Sequence, residues 1–111
     1  MRLTIKQSQH LRVDFEPGVA SFVTRRIRNS QLVYAHSGIQ RRVLGSLGKY
    51  LNKFNATVYA FCFFGSHDHG LFNFESGTKC SFFRDFGART AESVKKNIPE
   101  FGGGSVFEKR T

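Results

Sequence analysis
Long apolar runs, cysteine pairs and acidic residues are what this chain has least of. No stretch of eighteen or more apolar residues exists, so no segment is a membrane-span candidate and no membrane partner is expected. The first residues, MRLTIKQSQHLRVDF, lack an apolar signal core and a small-residue cleavage site. Two cysteines, Cys62 and Cys80, show no metal-site spacing. They read as reduced thiols of a cytoplasmic protein, with Cys62 buried in an apolar strand. Eight Asp and Glu stand against seventeen Lys and Arg, a formal net charge of +9. That excess favours a polyanionic partner, nucleic acid first.

What is present builds one domain. The chain has 111 residues, thirteen of them Phe, enough for a packed core but too few for two domains. After a turn at Glu16-Pro17-Gly18, residues 18–27 alternate and read as a strand. Residues 28–38 form a polar connection. Over residues 39–54, Val43, Leu44, Leu47, Tyr50, Leu51 and Phe54 fall on one helical face, with Arg41, Arg42, Lys49 and Lys53 on the other. Two apolar runs, residues 56–64 and 67–74, flank a Gly65-Ser66 turn and predict an antiparallel hairpin. Residues 81–97 read as a second helix with Ser81 as its cap and Phe82, Phe86, Thr90 and Val94 on one face. SVFEKR, residues 105–110, supplies a last strand. The order is βαββαβ, an α+β, ferredoxin-like arrangement: an antiparallel sheet with two helices on one face.

The chemistry concentrates at His67-Asp68-His69. Residues two apart on a strand point to the same side, so both imidazoles leave one face of the sheet together, as a two-histidine metal site requires. Asp68 then points to the other face. Taken alone, a His-x-His on a strand is more often an unliganded pair of surface histidines than a metal site. Phe61, Phe63, Phe64, Phe72 and Phe74 read as core.

The string Phe64-Gly65-Ser66-His67-Asp68-His69-Gly70-Leu71 resembles the His-hydrophobic-His strand of single-tyrosine HUH transposases, REP-associated tyrosine transposase-like proteins above all. GVASFVTRRIRNSQLVY resembles that family's first strand, and FFRDFGARTAESVKKN followed by GGGSVFEKRT its catalytic helix and tail. The likeness covers about residues 17–110. It implies a divalent cation, Mg or Mn, at His67 and His69, polarising a phosphodiester as a Lewis acid. Glu92, Ser93, Asn97 or Asp68 would supply a third ligand. A helix tyrosine would attack the phosphorus. Here the second helix has none: Arg89 stands in its place, with Thr90 and Ser93 nearby, and arginine is no nucleophile.

The resemblance therefore implies a protein, cytoplasmic and nucleoid-associated, that binds hairpin or single-stranded DNA without the family's nucleophile. A second reading keeps nicking activity through Tyr34, a partner subunit or sequence beyond this chain, and the family suggests a homodimer. A third is a metal-free, ferredoxin-like RNA or single-stranded DNA binder that stacks bases on sheet aromatics. The DNA contacts would come from Arg25, Arg26, Arg28, Arg41, Arg42, Lys49, Arg89, Lys95 and Lys96.

Overall fold
The computed structural model describes residues 20–75 and 77–108. Among them, strand β1 (Ser21–Arg26), helix α1 (Ser37–Lys53), strands β2 (Thr57–Phe63) and β3 (His67–Asn73) and helix α2 (Lys79–Asn97) follow one another. Single 3-10 turns at Arg28–Ser30, Val33–Ala35 and Pro99–Phe101 fill the connections. The expected turn at Glu16-Pro17-Gly18 lies outside the described residues.

The sheet is antiparallel in the order β1-β3-β2, which puts the histidine strand in the middle. Of the last strand expected over residues 105–110, residues 109 and 110 lie outside the described residues, and the described ones show an isolated bridge between Phe107 and Ile27 at the free edge of β1. Backbone bonds from Arg28 to Val106 and from Glu108 to Arg26 secure it. Its place beside β1 is the one the ferredoxin-like arrangement assigns to the fourth strand.

Both helices lie on one side. Ile39, Val43, Leu47 and Tyr50 of α1 and Phe82, Phe86, Thr90 and Val94 of α2 are buried, as a helical stripe facing a sheet must be. Leu44, expected on that face, is 49% exposed. Phe72 of β3 meets Phe82 and Phe83 of α2 edge-on, and Phe61 of β2 packs against Phe86. Gly70 is needed here: a β-carbon would come within 2.3 Å of the Phe72 ring and 3.0 Å of Phe61.

Two boundaries differ from the sequence reading. The second helix starts two residues earlier, at Lys79 after Thr78, so Ser81 lies inside it and caps nothing. The first starts at Ser37, where the His36 ring accepts the Ile39 amide at 3.4 Å and serves as the cap.

A bulge in β2 resets its faces. The register against β3 shifts between Val58 and Ala60, so Val58, Phe61 and Phe63 turn inward while Tyr59, Ala60 and Cys62 are exposed. Strict alternation from Val58 would have buried Cys62, which is why the expectation of a buried thiol fails.

Candidate nucleic-acid interface on the open sheet face
The connection after β1 holds the histidine hairpin in position. The Ile27 amide donates to Ser66 O at 2.8 Å, the Tyr34 amide to Gly65 O at 3.0 Å, and the Phe64 amide to His67 O at 2.7 Å. Along β3 the burial then alternates from His67 to Asn73, with His67, His69, Leu71 and Asn73 away from the helices and Asp68, Gly70 and Phe72 toward them.

On the open face the two imidazoles sit side by side, ring centroids 4.8 Å apart and nearly perpendicular. Each is stacked on a phenylalanine: Phe64 lies 4.8 Å from His67 at 15°, Phe22 5.4 Å from His69 at 14°. Phe64 and Phe22 are themselves 50% and 42% exposed, so Phe64 is not core. Thr24 Oγ1 is hydrogen-bonded to His69 Nδ1 at 2.8 Å, which leaves Nε2 as the outward nitrogen. Ser66 Oγ stands 3.5 Å from His67 Nδ1. Burial, then the nearby charges of His67 and Arg26, push the His69 imidazole below its ordinary range, against the opposing influence of Asp68. A neutral ring with one oriented nitrogen is the form that ligates metal. Arg26 lies across from His67 on β1, exposed on the same face.

A third protein ligand is not found: among the described residues no group of three His, Cys, Asp or Glu side chains is placed to hold a metal. The residues proposed for it lie across the sheet. Asp68 faces the helices, 1% exposed, in an ion pair with Arg25 at 2.8 Å. Glu92 bonds to Arg89 at 3.1 Å on the outer side of α2, and Asn97 and Ser93 lie on the same helix, linked by the amide bond from Asn97 to Ser93 O. The donor set that fits is therefore two imidazoles, with the remaining positions left to water and phosphate oxygens, as hard cations at nucleic-acid sites often have.

The helix on which the resemblance placed a nucleophile also lies on the far side of the sheet, so Arg89, Thr90 and Ser93 cannot reach a phosphate held at the histidines. Thr90 is buried and donates to Phe86 O. Tyr34 is 1% exposed and bonded to Asp68, and burial raises its phenol well above the ordinary range, so it is no nucleophile. Tyr50 is buried and accepts from Arg89. Tyr59 is 45% exposed on the histidine face, its hydroxyl bonded to Asn73. Asn73 is four residues along β3 from His69, roughly 13 Å. Alternation counted from Val58 already puts Tyr59 outside; the bulge beside it, which turns Ala60 and Cys62 outward as well, has no signature in the alternation.

The basic residues divide. Arg25 is unavailable to DNA: its side chain is 9% exposed, bonded to Asp68 and Thr90, with its guanidinium 3.9 Å over the Phe86 ring. Arg28 donates to Phe101 O and Gly103 O and covers Phe101, so it anchors the C-terminal segment. Arg26, Arg41, Arg42, Lys49, Arg89, Lys95 and Lys96 are exposed. Only Arg26 among them is on the histidine strand's open side by register.

No protein-family model and no curated protein matches the sequence. Among solved structures, the fold is similar to that of a REP-associated tyrosine transposase bound to a REP hairpin, at a TM-score of 0.63 and 17% identity. The match covers 86% of this chain and 54% of that one, so the chain spans about half the length of the transposase. At this identity the likeness establishes the fold: an α+β domain with a three-stranded antiparallel sheet and two helices on one face.

Proposed function
We propose that this domain binds DNA, hairpin or single-stranded, across the open sheet face, with a divalent cation held by His67 and His69. The observation that carries the reading is the pair of imidazoles on the central strand, each stacked on an exposed phenylalanine, in a fold shared with a hairpin-bound transposase. The cation, Mg or Mn, would neutralise and polarise a phosphodiester. The histidines would hold it, Thr24 fixes the ring orientation of His69, and Arg26 adds a phosphate contact. Phe22, Phe64 and Tyr59 offer ring faces to unpaired bases.

The same reading makes the domain a binder without strand cleavage of its own. Tyr34 and Tyr50 are buried, and Tyr59 stands too far along the sheet for in-line attack at the histidines. Function belongs to the cytoplasm, on the nucleoid, and a homodimer through the β2 edge is compatible with the sheet order.

Labelled hairpin DNA with a single-stranded tail, incubated with Mn²⁺ or with chelator and resolved in parallel on native and denaturing gels, tests this. Retarded native complexes with no protein-linked DNA are expected. A covalent adduct abolished by His67→Ala would replace the reading with that of an active nickase using a displaced or partner-supplied tyrosine. Binding indifferent to metal removal and to both histidines would favour a metal-free single-strand binder.

A further inference from the structure
On the helix layer, with the sheet between it and the histidines, α1 and α2 leave a cleft of about 320 Å³ lined by Arg42, Gly45, Ser46, Lys49, Arg89 and Ser93, with Glu92 at its side. Its charge is unbalanced. Arg89 is bonded to Glu92 at 3.1 Å and to the Tyr50 hydroxyl at 3.2 Å, contacts that hold its guanidinium in place. Arg42 and Lys49 have no carboxylate partner among the described residues; Lys49 Nζ lies 5.5 Å from the Tyr50 ring centroid. Three cations thus share one carboxylate, next to two serine residues. Like charges gathered this way repel one another unless an anion sits between them.

Gly45 supplies an independent observation. It lies in the interior of a seventeen-residue helix, where glycine costs about 1 kcal/mol against alanine. Packing gives no reason for it, since a β-carbon there would meet nothing within 4 Å. It does line the cleft, where a β-carbon would take up space and keep a ligand off the backbone. Gly48, one turn on, is equally open but lines no part of it.

We propose that this cleft is a second DNA contact, a clamp for a backbone phosphate, separate from the histidine face. Arg42, Lys49 and Arg89 supply the charge, Ser46 and Ser93 supply hydroxyl donors, and Gly45 supplies room. This rests on the DNA-binding reading above. Phosphate is the matching chemistry because guanidinium groups bind its oxygens in pairs and the cleft is polar rather than apolar.

The test is fluorescence anisotropy with hairpin DNA over a salt series. Arg42→Ala and Lys49→Ala are each expected to weaken binding severalfold at 0.1 M salt and to lower the slope of log affinity against log salt by about one. Arg84→Ala, which removes one charge from α2 outside the cleft, is expected to leave that slope unchanged. Gly45→Ala is expected to raise the melting temperature yet weaken DNA binding, whereas Gly48→Ala raises it and binds as wild type. Wild-type affinity and slope in Arg42→Ala, Lys49→Ala and Gly45→Ala, while His69→Ala is impaired, would overturn the clamp and leave the histidine face standing. No binding by the wild type at 50 mM salt would overturn both together.

Discussion

Tyr34 donates its phenolic proton to Oδ2 of Asp68 at 2.5 Å, directly behind the strand that carries the histidines. Arg25 completes the arrangement with bonds of 2.8 to 3.2 Å to both Asp68 oxygens, and Thr90 of α2 accepts from the same guanidinium at 3.1 Å. Four residues far apart in sequence thus join β1, β3, α2 and the connection after β1. The carboxylate that interrupts the histidine pair serves the inner face, so it can fix β3 without competing for a cation on the outer one.

Asp68→Asn is expected to destabilise the domain by about 3 kcal/mol, because a buried guanidinium loses its counter-charge. Asp68→Leu combined with Arg25→Met and Tyr34→Phe should recover most of the loss, since a wholly apolar replacement leaves no charge stranded. Urea denaturation of the single and triple variants checks this. Equal stability of Asp68→Asn and wild type would mean that the network contributes nothing.

Alkaline titration reads the same network. Burial, chiefly, raises the Tyr34 phenol above its unfolded value of about 10. A proton retained by the folded state and lost by the unfolded one stabilises fully below that value, and the contribution falls as pH rises past it. Phenolate absorbance at 295 nm should therefore contain a component that appears only as helical circular dichroism is lost. Complete ionisation of all three tyrosines in a protein that stays folded would contradict it.

Removing either imidazole should abolish Mn²⁺ binding while leaving the fold intact, since both rings project from the outer face. Manganese paramagnetic resonance follows the free ion, and circular dichroism checks the fold of His67→Ala and His69→Ala. Thr24→Ala should weaken the ion about tenfold by releasing the orientation of His69. Unaltered binding in the histidine variants would place the cation elsewhere.

Phe22 and Phe64 should matter more for single strands than for duplex. Truncating either to alanine removes a stacking surface worth roughly 1 to 3 kcal/mol per base. Binding to a tailed hairpin should then fall about tenfold while a blunt duplex is unaffected. Parallel losses on both ligands would argue against stacking.

The features legible in the sequence are those with a local period. The buried stripe Phe82, Phe86, Thr90 and Val94 follows from spacing alone, and so does the outward projection of His67 and His69 with Asp68 behind them. What escaped depends on contacts distant in sequence. Arg25 reads as surface until Asp68, 43 residues away, and Phe86 close over it. Tyr34 reads as a loop residue until β3 passes beneath it. The bulge at β2 reverses the alternation beyond Tyr59, exposing Ala60 and Cys62 where a regular strand from Val58 would bury them. The side of the sheet on which α2 packs is a property of topology, and it separates Arg89, Glu92, Ser93 and Asn97 from the histidines.

The most direct measurement is the affinity of the wild type and of the His67→Ala/His69→Ala double variant for a tailed DNA hairpin, with Mn²⁺ and with chelator. The account predicts that metal tightens wild-type binding at least tenfold and that the double variant binds like the chelated wild type. Equal affinities in all four combinations would contradict it.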